Sequence, residues 1–186
     1  MAKKTKPKKK SSSSSLSTVV IAALLTVIAG LALLLYYGEK LPSPLGKKPP
    51  SVEISLYNID EEGTGLKAAK GRVTKGPLQS EIEEAVKALI KSSKGDGAIP
   101  EGTRLLGVKV KDKTAMINLS KEFAEKNVGG STGEMLSIYS VVDTVTLNFP
   151  EVGEVQLLVE GKREKTLAGH IDISLPLGPD RKIIRD

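Results

Sequence analysis

The sequence predicts an α+β domain preceded by one amino-terminal transmembrane helix. Two observations support this fold class. An uncharged and almost wholly apolar run occupies residues 16–37. After residue 50, strand-like alternations and two amphipathic helical patterns follow one another in a ββαββαββ-like order. Because short turns join antiparallel neighbours, we expect a mainly antiparallel sheet with both helices packed on one of its faces.

The apolar run is long enough to cross a bilayer. As a helix it would reach about 33 Å, against a hydrocarbon core of about 30 Å. Six lysines precede the run and three follow it closely, and lysines favour the cytoplasmic side. We therefore predict a single-pass protein of the cytoplasmic membrane, with a cytoplasmic amino terminus and an extracytoplasmic or periplasmic domain. A cleaved secretory signal stays open as the alternative, although the apolar run continues past its candidate cleavage site at residues 30–32.

The pattern divides the chain into five predicted segments. They are a basic, serine-containing cytoplasmic tail at 1–15, the transmembrane helix at 16–37, a proline-rich linker at 38–50, the domain at 51–180 and a carboxyl-terminal tail at 181–186. Prolines fix the backbone and lack an amide donor, so the linker is expected to be a short, extended spacer.

The basic excess belongs entirely to the first segment. The chain has 28 basic and 22 acidic residues, and removing the six tail lysines leaves 28 − 6 = 22 basic residues. The neutral remainder and an aromatic content of 3% argue against a nucleic-acid partner. The chain has no cysteine, which excludes disulfides, thiolate metal sites and a cysteine nucleophile.

The first half of the domain contains four predicted strands and one helix. Alternating apolar residues predict strands at 52–57 and, more weakly, at 66–73, with a turn at 60–65 between them. Pro77 is placed at the start of an amphipathic helix, where its missing donor is harmless. Residues 106–110 and 115–119 then predict a hairpin.

The second half contains a glycine-rich loop, the second helix and the last strands. Ser131 and Glu134 form a capping-box pattern, Ser-x-x-Glu, at the start of a helix that ends at the Asn-Phe-Pro sequence of 148–150. Residues 155–159 predict another strand, and residues 165–167 a short return strand.

The glycine-rich loop is the first candidate site. Free amides at a helix start could hold a phosphate or a carboxylate. The candidate contacts are Gly129, Gly130, Ser131, Thr132 and Gly133. The loop lacks the lysine of a P-loop, and turn formation with helix capping would explain it without a ligand.

The second candidate is the pair His170 and Asp172, which could share one strand face as a metal-ligand or acid–base pair. Zinc sites need three or four ligands, and the chain has neither a second histidine nor a cysteine. A serine hydrolase is also disfavoured, because no Gly-x-Ser-x-Gly sequence surrounds Ser120 or Ser131. We predict no catalytic residue, no metal and no cofactor, and therefore a protein that is not an enzyme.

Several sequence segments resemble the GerMN domain. They are Ile-Pro-Glu-Gly-Thr-Arg-Leu-Leu-Gly-Val at 99–108, Ile-Asn-Leu-Ser at 117–120 followed by Phe123, Gly-Gly-Ser at 129–131, Val-Gln-Leu-Leu-Val-Glu-Gly at 155–161 and Leu-Ala-Gly-His at 167–170. The resemblance covers roughly residues 52–180 in one copy. It implies an exported envelope module, linked in some spore formers to sporulation, germination and assembly of a membrane-spanning complex. The family also resembles ring-building domains and is not known as an enzyme. Many relatives are lipoproteins attached through a cysteine and some carry two copies, and this chain departs from both patterns.

These features predict a membrane-anchored module that binds other envelope proteins, copies of itself among them, through a sheet edge or face. The alternative is an accessory module that binds peptidoglycan. An enzyme of another type is the third possibility. Sedimentation with purified cell-wall sacculi would separate the first two.

Overall fold

The computed structural model describes residues 13–38, 50–93, 97–127 and 130–185. It divides into two compact units, Met1–Lys48 and Pro49–Asp186. The described part of the first unit is one helix, α1 (Ser13–Gly38), so the predicted helix over 16–37 is present. Within the described residues, no helix meets the combined length and apolarity required for a membrane span. Most of the predicted basic tail and of the proline-rich linker lies outside the described residues.

The second unit is an α+β domain, which confirms the predicted class. Its elements are β1 (Ser51–Ile59), β2 (Leu66–Thr74), α2 (Leu78–Ser92), β3 (Leu105–Lys111), β4 (Thr114–Leu119), α3 (Glu122–Glu125), α4 (Gly130–Thr146), β5 (Glu154–Val159), a 3₁₀ turn (Arg181–Ile183) and β6 (Ile184–Arg185). Through residue 159 the two long helices and five strands follow the predicted order.

The prediction of one mainly antiparallel sheet is wrong. The strands form two mixed sheets of three, in the orders β1-β2-β6 and β3-β4-β5. The hairpins β1–β2 and β3–β4 are antiparallel as expected, whereas β6 runs parallel to β2 and β5 parallel to β4. The connection from β4 to β5 contains α3 and α4, and a helical crossover returns the chain so that the next strand runs parallel.

The carboxyl-terminal part of the domain also differs from the sequence analysis. Residues 165–167 form no strand. Residues 181–185, which the sequence analysis places in a tail, form the 3₁₀ turn and β6. β6 pairs with Leu66 and Lys67 of β2, so this segment is part of the sheet.

A single hydrophobic core holds the domain together, as amphipathic helices over a sheet require. The helices contribute the apolar faces that their spacing predicts, and Ile82, Leu89, Ile138, Val142 and Val145 are all fully buried. The two hairpins and β5 supply the opposing side chains, among them Leu56, Ile117 and Leu157. The core therefore fixes α2 and α4 against both sheets.

Polar side chains of α4 cover the outer edge of β1. Ser140 Oγ donates to the Tyr57 carbonyl at 2.6 Å, and Thr144 Oγ1 accepts from Tyr57 N at 3.1 Å. Just beyond the helix, Asn148 Oδ1 accepts from Ser55 N at 2.8 Å and its Nδ2 donates to the Ser55 carbonyl at 2.7 Å. Their spacing of four places these residues on one helix face. They satisfy backbone groups that would otherwise be open to another strand.

Substituting Asn148 by alanine is expected to destabilise the domain by about 1–2 kcal/mol, because it removes both hydrogen bonds to Ser55. It also reopens part of the β1 edge, so the variant should self-associate more readily. Urea unfolding and sedimentation velocity measure the two effects. Asn58→Ala is a suitable control, because the Asn58 side chain bonds to Ser92 and Ser93 and caps no strand edge. Unchanged self-association of the Asn148 variant would contradict the edge-covering role.

Gly71 in β2 lies where a side chain would collide with the core. A Cβ there would stand 2.8 Å from Leu56 Cγ and 3.2 Å from Ile54 Cγ1. We expect Gly71→Ala to cost about 1–3 kcal/mol of the free energy of unfolding, because overpacking forces these side chains from their rotamers. Gly107→Ala is the matched strand control, since its Cβ would meet no atom within 4 Å. Equal stability of the two variants in urea unfolding would contradict this packing argument.

Candidate functional site

Four of the five candidate contacts in the glycine-rich loop lie among the described residues. Gly129 lies outside the described residues. Gly130 begins α4 with a positive φ of 61°, and Ser131, Thr132 and Gly133 follow in its first turn. The predicted capping box is wrong, because Glu134 is fully buried and its carboxylate accepts hydrogen bonds from a distant loop.

Glu134 is the centre of the best-defined polar cluster in the domain. Its Oε1 accepts from Leu167 N at 2.9 Å and from Ala168 N at 3.0 Å. Its Oε2 accepts from His170 N at 2.8 Å and lies 2.9 Å from His170 Nδ1. One buried carboxylate thus contacts three backbone amides and the imidazole of the loop 167–170. A loop amide donor left without this partner would pay a desolvation penalty.

Electrostatics keep Glu134 ionised. Burial by itself raises the pKa of this carboxyl, but the backbone donors of Ala168, His170 and Ile171 and the imidazole of His170 outweigh burial and lower the pKa below its ordinary value. A carboxylate can only accept hydrogen bonds, so His170 Nδ1 carries the proton in this contact. The ring of His170 remains about half exposed, at 47%.

His170 and Asp172 are not partners of each other. Asp172 Oδ1 accepts from Ser174 N at 2.9 Å and from Ser174 Oγ at 2.6 Å, and these bonds lower its pKa. His170 instead pairs with Glu134, 36 residues earlier in the chain. Sequence reasoning missed this partner because it assigned Glu134 to helix capping.

A carboxylate–imidazole pair can orient a histidine for catalysis or metal binding, but either role needs further groups. Among the described residues, no group of three or more histidine, cysteine, aspartate or glutamate side chains could hold a metal ion. Ser120 is fully buried and its Oγ accepts from Arg104 N at 2.9 Å. The contacts of Glu134 with His170 and its neighbours anchor the loop 167–170 on α4.

Asp143 is a second fully buried acid on α4. Its Oδ1 accepts from Asp180 N at 3.0 Å, while its Oδ2 has no hydrogen-bond partner. Burial, reinforced by the nearby Asp180 carboxylate, raises the pKa of Asp143 to about 7. Asp143 therefore holds the segment before β6, as Glu134 holds the loop 167–170. The signal in the sequence was an acid inside the apolar stretch of 141–145.

The fold and this cluster define a small α+β module whose buried acids fix its own loops. Residues 55–165 match the family described as Germane, sporulation and spore germination. The match spans more than half of the chain, and the chain belongs to this family. The resemblance to GerMN domains is thereby confirmed.

Several solved structures are similar to this chain. The tandem GerMN domains of the sporulation protein GerM from Bacillus subtilis share 25% identity with a TM-score of 0.52, over 69% of this chain and 46% of that chain. The first GerMN domain of the same protein shares 22% identity with a TM-score of 0.50, over 70% and 98% of the two chains. A Clostridium perfringens protein described as a candidate lipoprotein shares 26% identity with a TM-score of 0.49, over 69% and 87%. No curated protein matches the chain.

Proposed function

We propose that this protein is a membrane-anchored, extracytoplasmic and non-catalytic module that mediates protein–protein assembly in the cell envelope, in spore formers during sporulation or germination. The observation that carries the proposal is the internal use of its buried acids. Glu134 and Asp143 hold loops, and Glu81 accepts from Gly76 N at 2.8 Å and pairs with Lys75. Chemistry of this kind stabilises a scaffold, which leaves the domain surface as the place of function.

Exposed apolar side chains on the domain support a binding role. Val52, Leu106 and Leu175 are 40%, 44% and 69% exposed, and large apolar or aromatic groups are typical anchors of protein interfaces. A direct test in cells distinguishes such an interface from the single exposed apolar residues that are common on monomers.

In-cell photo-cross-linking is that test. A photoreactive amino acid placed at position 106 or 175 of the full chain should give discrete protein adducts, whereas the same group at Glu61 in the β1–β2 turn serves as the control. Identification of the adducts by mass spectrometry names the partner. Absence of adducts at every apolar position, with a normally expressed protein, would contradict an assembly role.

We propose that α1 attaches the domain to the cytoplasmic membrane, in a single pass with the amino terminus inside. The support is the uncharged sequence of 16–37 and the exposure of its large apolar side chains, such as Val19 at 68% and Leu35 at 73%. Apolar groups exposed in this number favour transfer out of water. The 186 residues contain no cysteine, the residue to which a thioether-linked lipid attaches.

Carbonate extraction and cysteine labelling test this attachment. The protein should pellet with membranes after carbonate washing. Because the native chain lacks cysteine, Lys113→Cys in the β3–β4 turn should react with a membrane-impermeant maleimide in spheroplasts, whereas Ser12→Cys should react only after lysis. Release by carbonate, or labelling of Ser12→Cys in intact spheroplasts, would overturn the proposed topology.

Peptidoglycan binding is the second candidate function. A cleft of about 310 Å³ supports it, lined by charged groups such as Lys75 and Glu151 and by apolar groups such as Leu78 and Phe149. Clefts of this size and mixed lining suit small ligands. Co-sedimentation of the full chain with purified sacculi, weakened by Lys75→Glu, would favour the wall. Recovery in the supernatant would exclude it.

A further inference from the structure

Each three-stranded sheet has two edges, and the structure covers them unequally. Side chains of α4 and of Asn148 cover β1. Val155 of β5 exchanges two backbone hydrogen bonds of 2.8 Å with Leu177, and Gln156 Nε2 bonds to the Ile173 carbonyl. β3 carries a bulge between Leu105 and Gly107, a feature that disrupts pairing at an edge. The outer edge of β2 has no such bulge, because its register with β1 is unbroken, and it is covered only at its ends.

The cover on β2 lies at its two ends. β6 pairs only with Leu66 and Lys67. At the other end, Glu84 Oε2 accepts from Thr74 N at 2.7 Å. Among the described residues, no further backbone or side-chain partner occupies the outer edge between these two contacts. The middle of the strand is therefore open.

The hydrogen-bond register shows which backbone groups face outward there. The side chains of Ser140 and Thr144 on α4 and of Asn148 beyond it reach the N–H and C=O groups of Ser55 and Tyr57 from the side away from β2. Ser55 lies opposite Lys70, so this is a non-hydrogen-bonded pair. The two kinds of pair alternate along an antiparallel ladder, so Glu53 and Arg72 also form a non-hydrogen-bonded pair. The N–H and C=O groups of Lys70 and Arg72 consequently point to the open edge.

The open edge is basic. Lys70 and Arg72, whose backbone groups point to it, are both exposed. The Lys70 side chain is 86% exposed, and its contact with Glu53 at 3.1 Å lies on the sheet face. Opposite charges directly across two strands are favourable, and like charges are unfavourable. A strand that adds here should carry acidic side chains.

A second copy of this chain is a poor occupant for the same reason. Pairing two β2 edges would place Lys70 and Arg72 against the same residues. Pairing β2 with β3, the other incompletely covered edge, would oppose them to Lys109 and Lys111. Both arrangements juxtapose like charges.

We propose that the outer edge of β2, residues 68–73, is a docking site for an extended acidic segment of another protein, which adds to the β1-β2-β6 sheet as a further strand. This inference rests on the proposed assembly function and specifies its surface. Main-chain hydrogen bonds to Lys70 and Arg72 supply the pairing, and the basic side chains select the partner.

The test uses the full chain in nanodiscs and two short synthetic peptides, one alternating glutamate with valine and the other lysine with valine. Hydrogen exchange of individual amides is followed by NMR. At a peptide concentration about ten times its Kd, the acidic peptide should slow exchange at Lys70 and Arg72 about tenfold. The lysine peptide should leave these amides unchanged.

Variants separate charge from backbone pairing. Lys70→Glu with Arg72→Glu should weaken binding of the acidic peptide, and the matched pair Lys109→Glu with Lys111→Glu on β3 should not. Lys70→Pro removes an N–H that makes no bond to β1, so it should block docking while the hairpin persists. Lys70→Gln is its control, because it removes the charge and retains the backbone donor.

The outcomes are distinct. Equal binding of both peptides, or protection only at amides outside residues 68–73, overturns the edge site. Self-association in sedimentation velocity that the Lys70→Glu and Arg72→Glu changes abolish would make the occupant a second copy and also overturn it. If the peptide fails to bind while in-cell adducts at positions 106 or 175 persist, this inference fails and the assembly function stands. If the adducts are also absent, both fail.

Discussion

Replacing Glu134 by alanine is expected to lower the free energy of unfolding by about 3–5 kcal/mol. The substitution removes the common acceptor of Leu167 N, Ala168 N and His170 N. The Leu167 amide then loses its partner in a buried site and the other two amides in part-buried ones, so the loop must either remain unsatisfied or detach from α4. Urea unfolding followed by near-ultraviolet circular dichroism measures the loss.

Two variants show which part of the cluster matters. His170→Ala removes one donor from a half-exposed ring and should cost only about 1 kcal/mol. Glu134→Gln keeps the shape and one acceptor oxygen, but it turns an amide group toward the donors of His170. Its cost in stability should therefore fall between those of Glu134→Ala and His170→Ala. If Glu134→Ala cost no more than His170→Ala, the carboxylate would not be the anchor of the loop.

The contribution of Glu134 to the free energy of unfolding depends on pH in a definite direction. The folded pKa of Glu134 lies below its ordinary value of 4.5. The ionised form is therefore the stabilising one, and its contribution is present at neutral pH and is lost as the pH falls through the folded pKa. The stability difference between the native chain and Glu134→Gln should shrink on acidification below about pH 4. A difference that grows instead would contradict the assigned ionisation.

Local patterns in this sequence predicted local structure well. The alternation at 52–57 and the spacing of α2 gave the correct elements because a half-buried strand and an amphipathic helix each repeat their own period. The direction of β5 was missed, since local alternation is the same in parallel and antiparallel strands. β6 was missed because two residues carry no period, and its place depends on Leu66 and on Asp143, both distant in the chain.

The candidate site was less predictable for a related reason. Ser131 and Glu134 have the spacing of a capping box, and local spacing cannot show that the loop 167–170 supplies better donors to Glu134 than the start of its own helix. His170 was singled out as the one histidine of the chain, but the partner of its ring lies 36 residues earlier. Tertiary contacts at such separations follow from the fold and not from a motif.

Replacing Asp143 by asparagine is expected to stabilise the domain above neutral pH. The pKa of this fully buried acid rises from 3.8 to about 7 on folding. Between these values the folded chain holds a proton that the unfolded chain has released, so the native protein loses stability as the pH rises, by up to about 4 kcal/mol in total. Asparagine cannot ionise and should remove this dependence.

The gain at pH 8 should be smaller than that full amount, about 1–3 kcal/mol. Asparagine keeps an acceptor oxygen for Asp180 N, but its amide nitrogen takes the place of Oδ2, which has no partner, and a buried donor without a partner is unfavourable. Urea unfolding at pH 5 and pH 8 should therefore show a falling stability for the native chain and a nearly constant one for the variant. Asp172→Asn is the control with the opposite expected sign. It should lower stability at both pH values, because the lowered pKa of Asp172 makes its ionised form stabilising. Parallel profiles for the native chain and Asp143→Asn would mean that Asp143 is ionised at both pH values, which its uncompensated burial argues against.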